Sequence, residues 1–319
     1  MSVAVASPAA VGSSRFTRYA WGVLAWNLLV VLWGAYVRAS GSGAGCGNNW
    51  PLCNGEVLPQ SPRVQTIIEF GHRASTGVAG VAIAALLLWA FFRFPRSHRA
   101  RKAALASVAF LVVEIGLGAG LVLFQYVESN ASVGRAVYLS LHLVNTLFLL
   151  AALALTAWFS REPERSPRRF SPLLLASLPL ALLVSVSGAI AALGDTLFPA
   201  TSLSEGLRQD LSGAGHFLLR LRIFHPALAI LGAAFFLSLA VWMLRSKPRP
   251  PVDRIALVVL ILTLTQLGAG AINLVLLAPI WMQMVHLLIA DLVWISLVLL
   301  SVEAANPATA GRASLARAG

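Results

Sequence analysis

Long apolar runs separated by short polar segments dominate the chain. Eight of these runs have about 20 residues with almost no charge, enough for a helix to cross the ~30 Å hydrocarbon core of a bilayer. We predict membrane-spanning helices at residues 20–37, 66–92, 103–126, 136–159, 171–193, 217–244, 255–277 and 282–303. The pattern therefore predicts an all-α integral membrane protein with eight transmembrane helices.

The composition supports a lipid environment. Hydrophobic residues make up 58% of the chain and charged residues 11%, whereas a soluble globular domain carries about 25% charged residues. The first 20 residues lack a compact apolar core, and the first apolar run continues directly as a full-length span. We therefore expect no secretory signal peptide.

Basic residues alternate between the two sides of the predicted spans. One side and its helix ends carry seven of the 24 Lys and Arg residues: Arg38, Arg63, Arg73, Arg135, Arg208, Arg220 and Arg222. The other side carries Arg15, Arg18, Arg93, Arg96, Arg99, Arg101, Lys102, Arg161, Arg165, Arg168, Arg169, Arg245, Lys247, Arg249, Arg254, Arg312 and Arg317. The positive-inside rule places this richer side, and both termini, in the cytoplasm. The net charge of +12 thus reflects topology, and we expect no nucleic-acid partner.

The chain contains an internal duplication. Four features recur in the same order: Gly34-Ala35 and Gly188-Ala189 at an offset of 154, His72 and His225 at 153, Glu114–Ala119 and Gln266–Ala271 at 152, and His142 and His286 at 144. Since four spans return the chain to its starting side, the repeats are parallel. We predict two pseudo-symmetric four-helix bundles, formed by residues 1–160 and 161–319.

Four of the six histidines lie inside predicted spans. His72, His142, His225 and His286 occupy the even-numbered spans, each one to two turns from the outer end, and two fall in each half. An ionisable residue at that depth is costly unless it is paired or used. Although an interhelical hydrogen bond accounts for a lone histidine, two pairs at matched depth favour axial ligation of haem iron.

The paired histidines could also bind a metal ion without a porphyrin. Zinc is less favoured because each site offers only two histidines, and a nearby cysteine or further acid is not found in both halves. Copper held by two histidines remains an alternative. The remaining two histidines, His98 and His216, fall in loops, where we expect them to be solvated.

The arginines near the outer ends of the spans match the two propionates that haem carries. Arg–carboxylate pairing is strong at such a position, and interfacial snorkelling is the alternative role. The candidates are Arg38, Arg73, Arg220 and Arg222.

The two halves differ most at the position three residues before the second-span histidine. Glu69 precedes His72 there, and Arg222 precedes His225, each on the same helix face as its histidine. This asymmetry favours chemistry in the first half, with Glu69 as a proton acceptor or a stabiliser of positive charge. A Glu69–Arg73 salt bridge is the structural alternative, and both roles are compatible.

Two further acids lie inside predicted spans. Glu114 aligns with Gln266, which favours a hydrogen-bonding role, and Asp291 lies off the helix face of His286. We expect neither to be catalytic. The two cysteines, Cys46 and Cys53, share the first outer loop, where an outer compartment permits a disulfide.

Several motifs resemble those of the haem A synthases. The run from Gly34 to Gly55, with its Trp-Pro-Leu-Cys segment, resembles the first outer loop of that family, and Glu69-Phe-Gly-His72-Arg73 and Leu-His142-Leu follow it. In the second half the runs Gly188–Pro199 and Leu221–Pro226 are similar to the family as well. The resemblance covers about residues 20 to 303.

The resemblance implies a reaction and a division of roles. The family oxidises the C8 methyl of haem O to a formyl, which gives haem A. It implies that His225 and His286 ligate haem b, and that His72 and His142 flank the substrate haem O with Glu69 as the catalytic acid residue. A Cys46–Cys53 disulfide would cap that site.

The resemblance also implies partners in the cell membrane. Haem O would come from a haem O synthase, and haem A would go to a haem–copper terminal oxidase. Apart from the resemblance, we expect a quinol or other membrane electron carrier to exchange electrons with the protein. The haem sites would lie near the outer face. Two rival functions remain: a di-haem quinol-linked electron-transfer protein and a haem transporter.

Overall fold

The computed structural model describes residues 15–161, 170–212, 215–246 and 250–305. The regular structure of these residues is helical, apart from one isolated bridge between Cys53 and Glu56. The helices are α1 (Arg15–Ala39), α2 (Val64–Arg93), α3 (Arg99–Leu123), α4 (Val133–Phe159), α5 (Pro172–Leu197), α6 (Leu203–Leu211), α7 (Phe217–Arg222), α8 (Phe224–Arg245), α9 (Pro250–Val275) and α10 (Ile280–Ala304).

Eight helical segments of this described part are long and apolar enough to cross a membrane. They are α1 to α5, the stretch Phe217–Arg245 that contains α7 and α8, and α9 and α10. Many of their large apolar side chains face outward, Phe92 at 89% exposure and Val81 at 73% among them. Such surfaces suit contact with lipid, whose core accepts helices because their backbone groups are paired internally. The prediction of an all-α multi-pass membrane protein is confirmed.

A short helix on the side predicted to be the outer one was missing from the sequence prediction. Helix α6 begins after Ser202, whose hydroxyl accepts from the Glu205 N–H at 3.2 Å. Glu205 in turn accepts from the Thr201 N–H at 2.8 Å and from the Thr201 hydroxyl. These bonds hold the pKa of the Glu205 carboxyl below its usual value. A serine followed three residues later by glutamate is a capping signal, so the sequence did contain the sign of this helix.

The sixth span is interrupted at Ile223, although the sequence predicted one continuous helix there. The break follows from Pro226, which has no N–H to donate to the carbonyl of Arg222 and whose ring crowds that carbonyl. Helix α7 therefore ends at Arg222, and α8 restarts at Phe224.

The long helices pack in two rings of four that share one core. In the first ring α1 packs against α2 and α4, and α3 packs against α2 and α4. In the second, α5 packs against α8 and α10, and α9 packs against α8 and α10. The rings meet where α4 contacts α10 and α5, and where α1 contacts α10.

Helices α4 and α10 form the centre of the molecule. More than half of the apolar stretch of each is buried, against a third or less in the other spans. Trp294 of α10 donates its indole N–H to the Leu147 carbonyl of α4 at 2.6 Å, and Leu150 and Leu297 are fully buried nearby in the same core. Protein, rather than lipid, surrounds these two helices, which carry His142 and His286.

Topology and the division into halves remain predictions. Both termini lie outside the described residues, and so do Arg165, Arg168, Arg169, Lys247, Arg249, Arg312 and Arg317. Of the described basic residues, Arg93 and Arg99 lie at adjoining ends of α2 and α3, on the side predicted to be cytoplasmic.

Candidate functional site

Each of the four membrane-depth histidines faces a glycine of a neighbouring helix. In the first half, His72 of α2 lies against Gly34 of α1, where an added Cβ would come within 2.9 Å of the ring. In the second half, His225 of α8 lies against Gly188 of α5 at the same 2.9 Å. These glycines leave room for an imidazole that any larger residue would displace.

The second histidine of each half repeats this arrangement. An added Cβ at Gly270 of α9 would lie 3.1 Å from the His286 ring, and one at Gly118 of α3 would lie 3.7 Å from the His142 ring. Both glycines belong to the Glu114–Ala119 and Gln266–Ala271 motifs of the duplication.

The second-half pair is close in space. The ring centroids of His225 and His286 lie 6.4 Å apart with an interplanar angle of 85°. Nδ1 of His225 is 3.0 Å from the Ser187 hydroxyl, and Nε2 of His286 is 3.1 Å from Nε2 of Gln266. The structure therefore brings together the two residues predicted to share one ligand.

Ring nitrogens of the histidines lack partners that buried polar groups normally have. Nδ1 of His72, His142 and His286 is buried without a hydrogen-bond partner in the described part of the chain. No three His, Cys, Asp or Glu side chains of that part cluster as a closed zinc site requires. Paired imidazoles with free nitrogens and glycine-made space fit axial ligation of haem iron.

Glu69 is buried at the junction between α2 and the first outer loop. Its side chain is held by two donors: Arg73 at 2.5 Å and the Cys46 N–H at 2.8 Å. The residue is only 3% exposed. The structure thus contains the Glu69–Arg73 salt bridge that the sequence allowed, and adds a bond from Glu69 to the loop.

The first outer loop is closed by a Cys46–Cys53 disulfide, as expected. Arg73 donates to the carbonyls of Asn49 and Leu52, both at 2.8 Å, and Thr66 donates to the Gly45 carbonyl at 2.7 Å. The loop is thereby fastened to the outer turns of α2, the helix that carries His72.

Gly45 is required by this attachment. A Cβ at Gly45 would overlap the backbone of Gln65 at the start of α2. The loop can therefore approach the helix this closely only with glycine at that position.

Arg222 is held by acids of the outer segment of the second half. It donates to Asp195 at 2.8 Å and makes an ion pair with Asp210 of α6 at 2.6 Å. Weaker bonds of 3.4 Å reach the Gly206 carbonyl and Gln209. Arg222 thus fastens α6 over the second half, in the way that Glu69 fastens the disulfide loop over the first.

The other two predicted propionate partners occupy different settings. Arg38 crosses from α1 to the second half, where it donates to the Ala192 carbonyl at 2.9 Å, to Thr196 at 2.7 Å and to Gln283 at 2.9 Å. Arg220 is exposed on α7. Three of the four arginines are therefore bonded to protein groups, and Arg220 stands apart from them.

The two loop histidines are helix caps, and the expectation that both are simply solvated is wrong. His98 accepts from the Ala100 N–H at 3.2 Å, and His216 accepts from the Leu218 N–H at 3.3 Å. Both are half-buried, because each ring packs against a phenylalanine.

The two intramembrane acids have contrasting environments. Asp291 is 1% exposed, and neither carboxylate oxygen has a hydrogen-bond partner in the described part. Glu114 lies 3.5 Å from Nδ1 of His142, a placement that the sequence analysis missed. The alignment of Glu114 with Gln266 marks a polar position in both halves, but only the packing of the helices shows that each residue meets a histidine.

These features define a class: an all-helical, multi-pass membrane protein in which two pairs of histidines face glycines of neighbouring helices. The family model described as COX15-CtaA, cytochrome oxidase assembly protein, matches residues 17–298. The chain belongs to this family, and the predicted membership of the haem A synthase family is confirmed.

Curated relatives carry two different names. A protein of Thermus thermophilus named protoheme IX farnesyltransferase is 47% identical over 295 residues, which cover 91% of this chain and 48% of the relative. Heme A synthase of Exiguobacterium sibiricum is 35% identical over 162 residues, 51% of this chain and 54% of the relative. Heme A synthase of Alkalihalophilus pseudofirmus is 38% identical over 138 residues, covering 43% and 44%. The chain spans about half the length of the curated relatives it matches.

Proposed function

We propose that this chain is a haem A synthase, which oxidises the C8 methyl of haem O to a formyl and so produces haem A. The observation that carries the proposal is the repeated pairing of histidine with glycine at membrane depth, two pairs in each half. Membership of the COX15-CtaA family supports it, because relatives over part of the chain are named heme A synthase.

The first half is the proposed substrate site. His72 and His142 flank the iron of haem O, and Gly34 leaves space for the His72 ring. Two successive hydroxylations of the methyl, with oxygen from water and with the electrons taken up by the oxidised form of the membrane electron carrier, followed by loss of water give the formyl and release protons. Glu69 lies one helical turn from His72 on the same face, where a carboxylate can take up such a proton.

The second half is the proposed cofactor site. His225 and His286 hold haem b, which when bound supplies one-electron transfer. Ser187 and Gln266 lie at hydrogen-bond distance from one ring nitrogen of His225 and His286, respectively, and would orient the two rings. At the outer ends of the helices, the arginines described above, with Arg220 the most exposed, offer cations for haem propionates.

The partners follow from the substrate and the product. The Thermus relative is about twice as long as the segment it shares with this chain and is named a farnesyltransferase. This supports a haem O synthase as the supplier, since farnesylation of protohaem must precede a reaction on haem O. We propose that the product goes to a terminal oxidase, and that a quinol or other electron carrier of the cell membrane exchanges electrons near outer-facing haem sites.

The test is to express the full chain in a membrane that contains haem O but makes no haem A, and to analyse the extracted haems by chromatography and mass. We expect haem A or its hydroxylated precursor. Unchanged haem O on a folded, haem-loaded chain would contradict the proposal and would favour an electron-transfer or transport function. A parallel membrane containing only haem B is expected to yield no farnesylated haem, and its appearance would assign the transferase to this chain.

A further inference from the structure

The carboxylate of Glu114, in α3, is held by side chains of α4 in the first half. Asn145 donates to Oε2 at 2.6 Å, and the Thr146 hydroxyl donates to Oε1. The same Oε1 lies 3.5 Å from Nδ1 of His142, the buried ring nitrogen without a hydrogen-bond partner among the described residues. The carboxylate is therefore fixed beside one nitrogen of a proposed haem ligand.

The second half has a neutral residue at the equivalent position, and this residue meets the other ring nitrogen of its histidine. Gln266 is the repeat equivalent of Glu114, and its Nε2 lies 3.1 Å from Nε2 of His286. The two α4 positions that hold the carboxylate correspond to Ile289 and Ala290 in α10, whose side chains carry no polar atom. Only the first half has both a charged group beside the histidine and the donors that fix it.

Carboxylate and amide act differently on an imidazole. A carboxylate only accepts hydrogen bonds, whereas an amide accepts through its oxygen or donates through its nitrogen. An acceptor at Nδ1 keeps the proton on Nδ1, which leaves the Nε2 lone pair for a metal. It also makes the imidazole a stronger donor to the metal, and a stronger donor favours ferric over ferrous iron.

We propose that Glu114 is the positioning residue of His142. Its carboxylate accepts the Nδ1–H and directs Nε2 to the iron of the haem bound in the first half. Closing 3.5 Å to an ordinary hydrogen bond of ~3.2 Å or less requires a shift of only about a few tenths of an ångström. The inference rests on the proposed function, because it takes His142 as a haem ligand.

Glu114 and Gln266 give the two haems of one chain different surroundings. The first-half haem favours its ferric form through Glu114, whereas Gln266 gives the second-half haem no such bias. The two haems therefore differ in midpoint potential for a reason that lies in α3 and α9, outside the histidines themselves.

The test compares Glu114→Gln, which gives the first half the second-half amide, with Gln266→Glu, which does the reverse. The full chain is purified with haem bound and titrated optically against potential at one fixed pH. The part of the optical titration that is lost in His72→Ala is assigned to the first-half haem. We expect Glu114→Gln to lower the preference of the first-half site for ferric over ferrous haem by about tenfold or more. Each tenfold change raises the midpoint potential of the first-half haem by ~59 mV.

The matched variant separates positioning from general damage. Gln266→Glu is expected to lower the midpoint potential of the second-half component, since it introduces the carboxylate there. If Glu114→Gln fails to fold, Asn145→Leu with Thr146→Val leaves the carboxylate in place but unfixed, and a smaller shift in the same direction is expected.

The outcomes of the two proposals are distinguishable. An unshifted first-half potential in Glu114→Gln, or in the double variant, would overturn the role of Glu114 even if the wild-type chain makes haem A. A shifted potential in a chain that makes no haem A would leave the positioning role intact and contradict only the proposed function.

Discussion

The outer segments above the two histidine pairs are fastened by residues at the same repeat position but of opposite charge. In the first half Glu69 accepts hydrogen bonds from the Cys46 N–H and from Arg73. In the second half Arg222 donates to Asp195 and forms an ion pair with Asp210. Glu69 and Arg222 each stand three residues before a histidine. The position of the residue that holds the loop is therefore repeated in both halves, whereas its charge is not.

The two halves differ in the charge of the group one turn before the histidine. The first half places a buried carboxylate one turn from a histidine and closes the loop above it with a disulfide. The second half places a guanidinium there, already paired with two acids. Under the proposed function, the half that holds a permanent cofactor needs no base, whereas the half that oxidises a methyl does. The same contrast recurs at Glu114 and Gln266.

The largest expected effect separates the two roles of Glu69. Glu69→Gln keeps an acceptor for the Cys46 N–H but removes the base, so we expect haem A formation to fall by roughly 10²–10⁴-fold with an unchanged haem b spectrum. Product is measured by chromatography of extracted haems, and haem b by its reduced-minus-oxidised spectrum.

Arg73→Gln is the matched control for this prediction. It leaves the Glu69 carboxylate but removes its ion pair and the bonds to Asn49 and Leu52. We expect a smaller loss of product than in Glu69→Gln. Equal losses in the two variants would mean that Glu69 acts by holding the loop.

A smaller effect is expected from filling the glycine that faces one histidine. An added Cβ at Gly34 or Gly188 would lie 2.9 Å from the His72 or the His225 ring, and overpacking of this kind costs about 1–3 kcal/mol. We expect Gly188→Ala to lower bound haem b and Gly34→Ala to lower product formation, each by roughly five- to 160-fold. Gly22→Ala, with nothing within 4 Å of the added carbon, should change neither, and equal effects of Gly34→Ala and Gly188→Ala on haem b would refute the division.

The smallest effect concerns helix α6, which Arg222 holds against the second half. Ser202→Ala removes the side-chain cap of α6, which costs about 1 kcal/mol. Amide hydrogen exchange over 203–211 should therefore quicken roughly fivefold, while haem b stays bound. Ser171→Ala, at an N-cap that makes no side-chain bond, should leave exchange in α5 unchanged. If α6 exchanges at the wild-type rate in Ser202→Ala, the cap does not stabilise this helix.

Features with a repeating sequence pattern could be predicted from the chain alone. Hydropathy located the eight spans, because length and charge decide whether a helix can cross lipid. The matched depth of His72, His142, His225 and His286 followed from the spans. The disulfide was expected from the placement of Cys46 and Cys53 in one outer loop and from the family resemblance.

Lateral neighbours could not be predicted in this way. The contact of Glu114 with His142 and the bonds of Arg38 to the second half depend on how helices rotate and pack against one another. Hydropathy does not encode that rotation. Helix α6 was missed because it is short and polar, even though Ser202 and Glu205 supply a capping signal.

We propose that one half of the chain changes a haem and that the other half keeps one. The most direct measurement is the haem content of purified His72→Ala and His225→Ala chains, each expressed in a membrane that contains haem O. We predict that His225→Ala loses haem b but still binds haem O, and that His72→Ala keeps haem b and loses haem O. Loss of the same haem from both variants would contradict the division of labour between the halves.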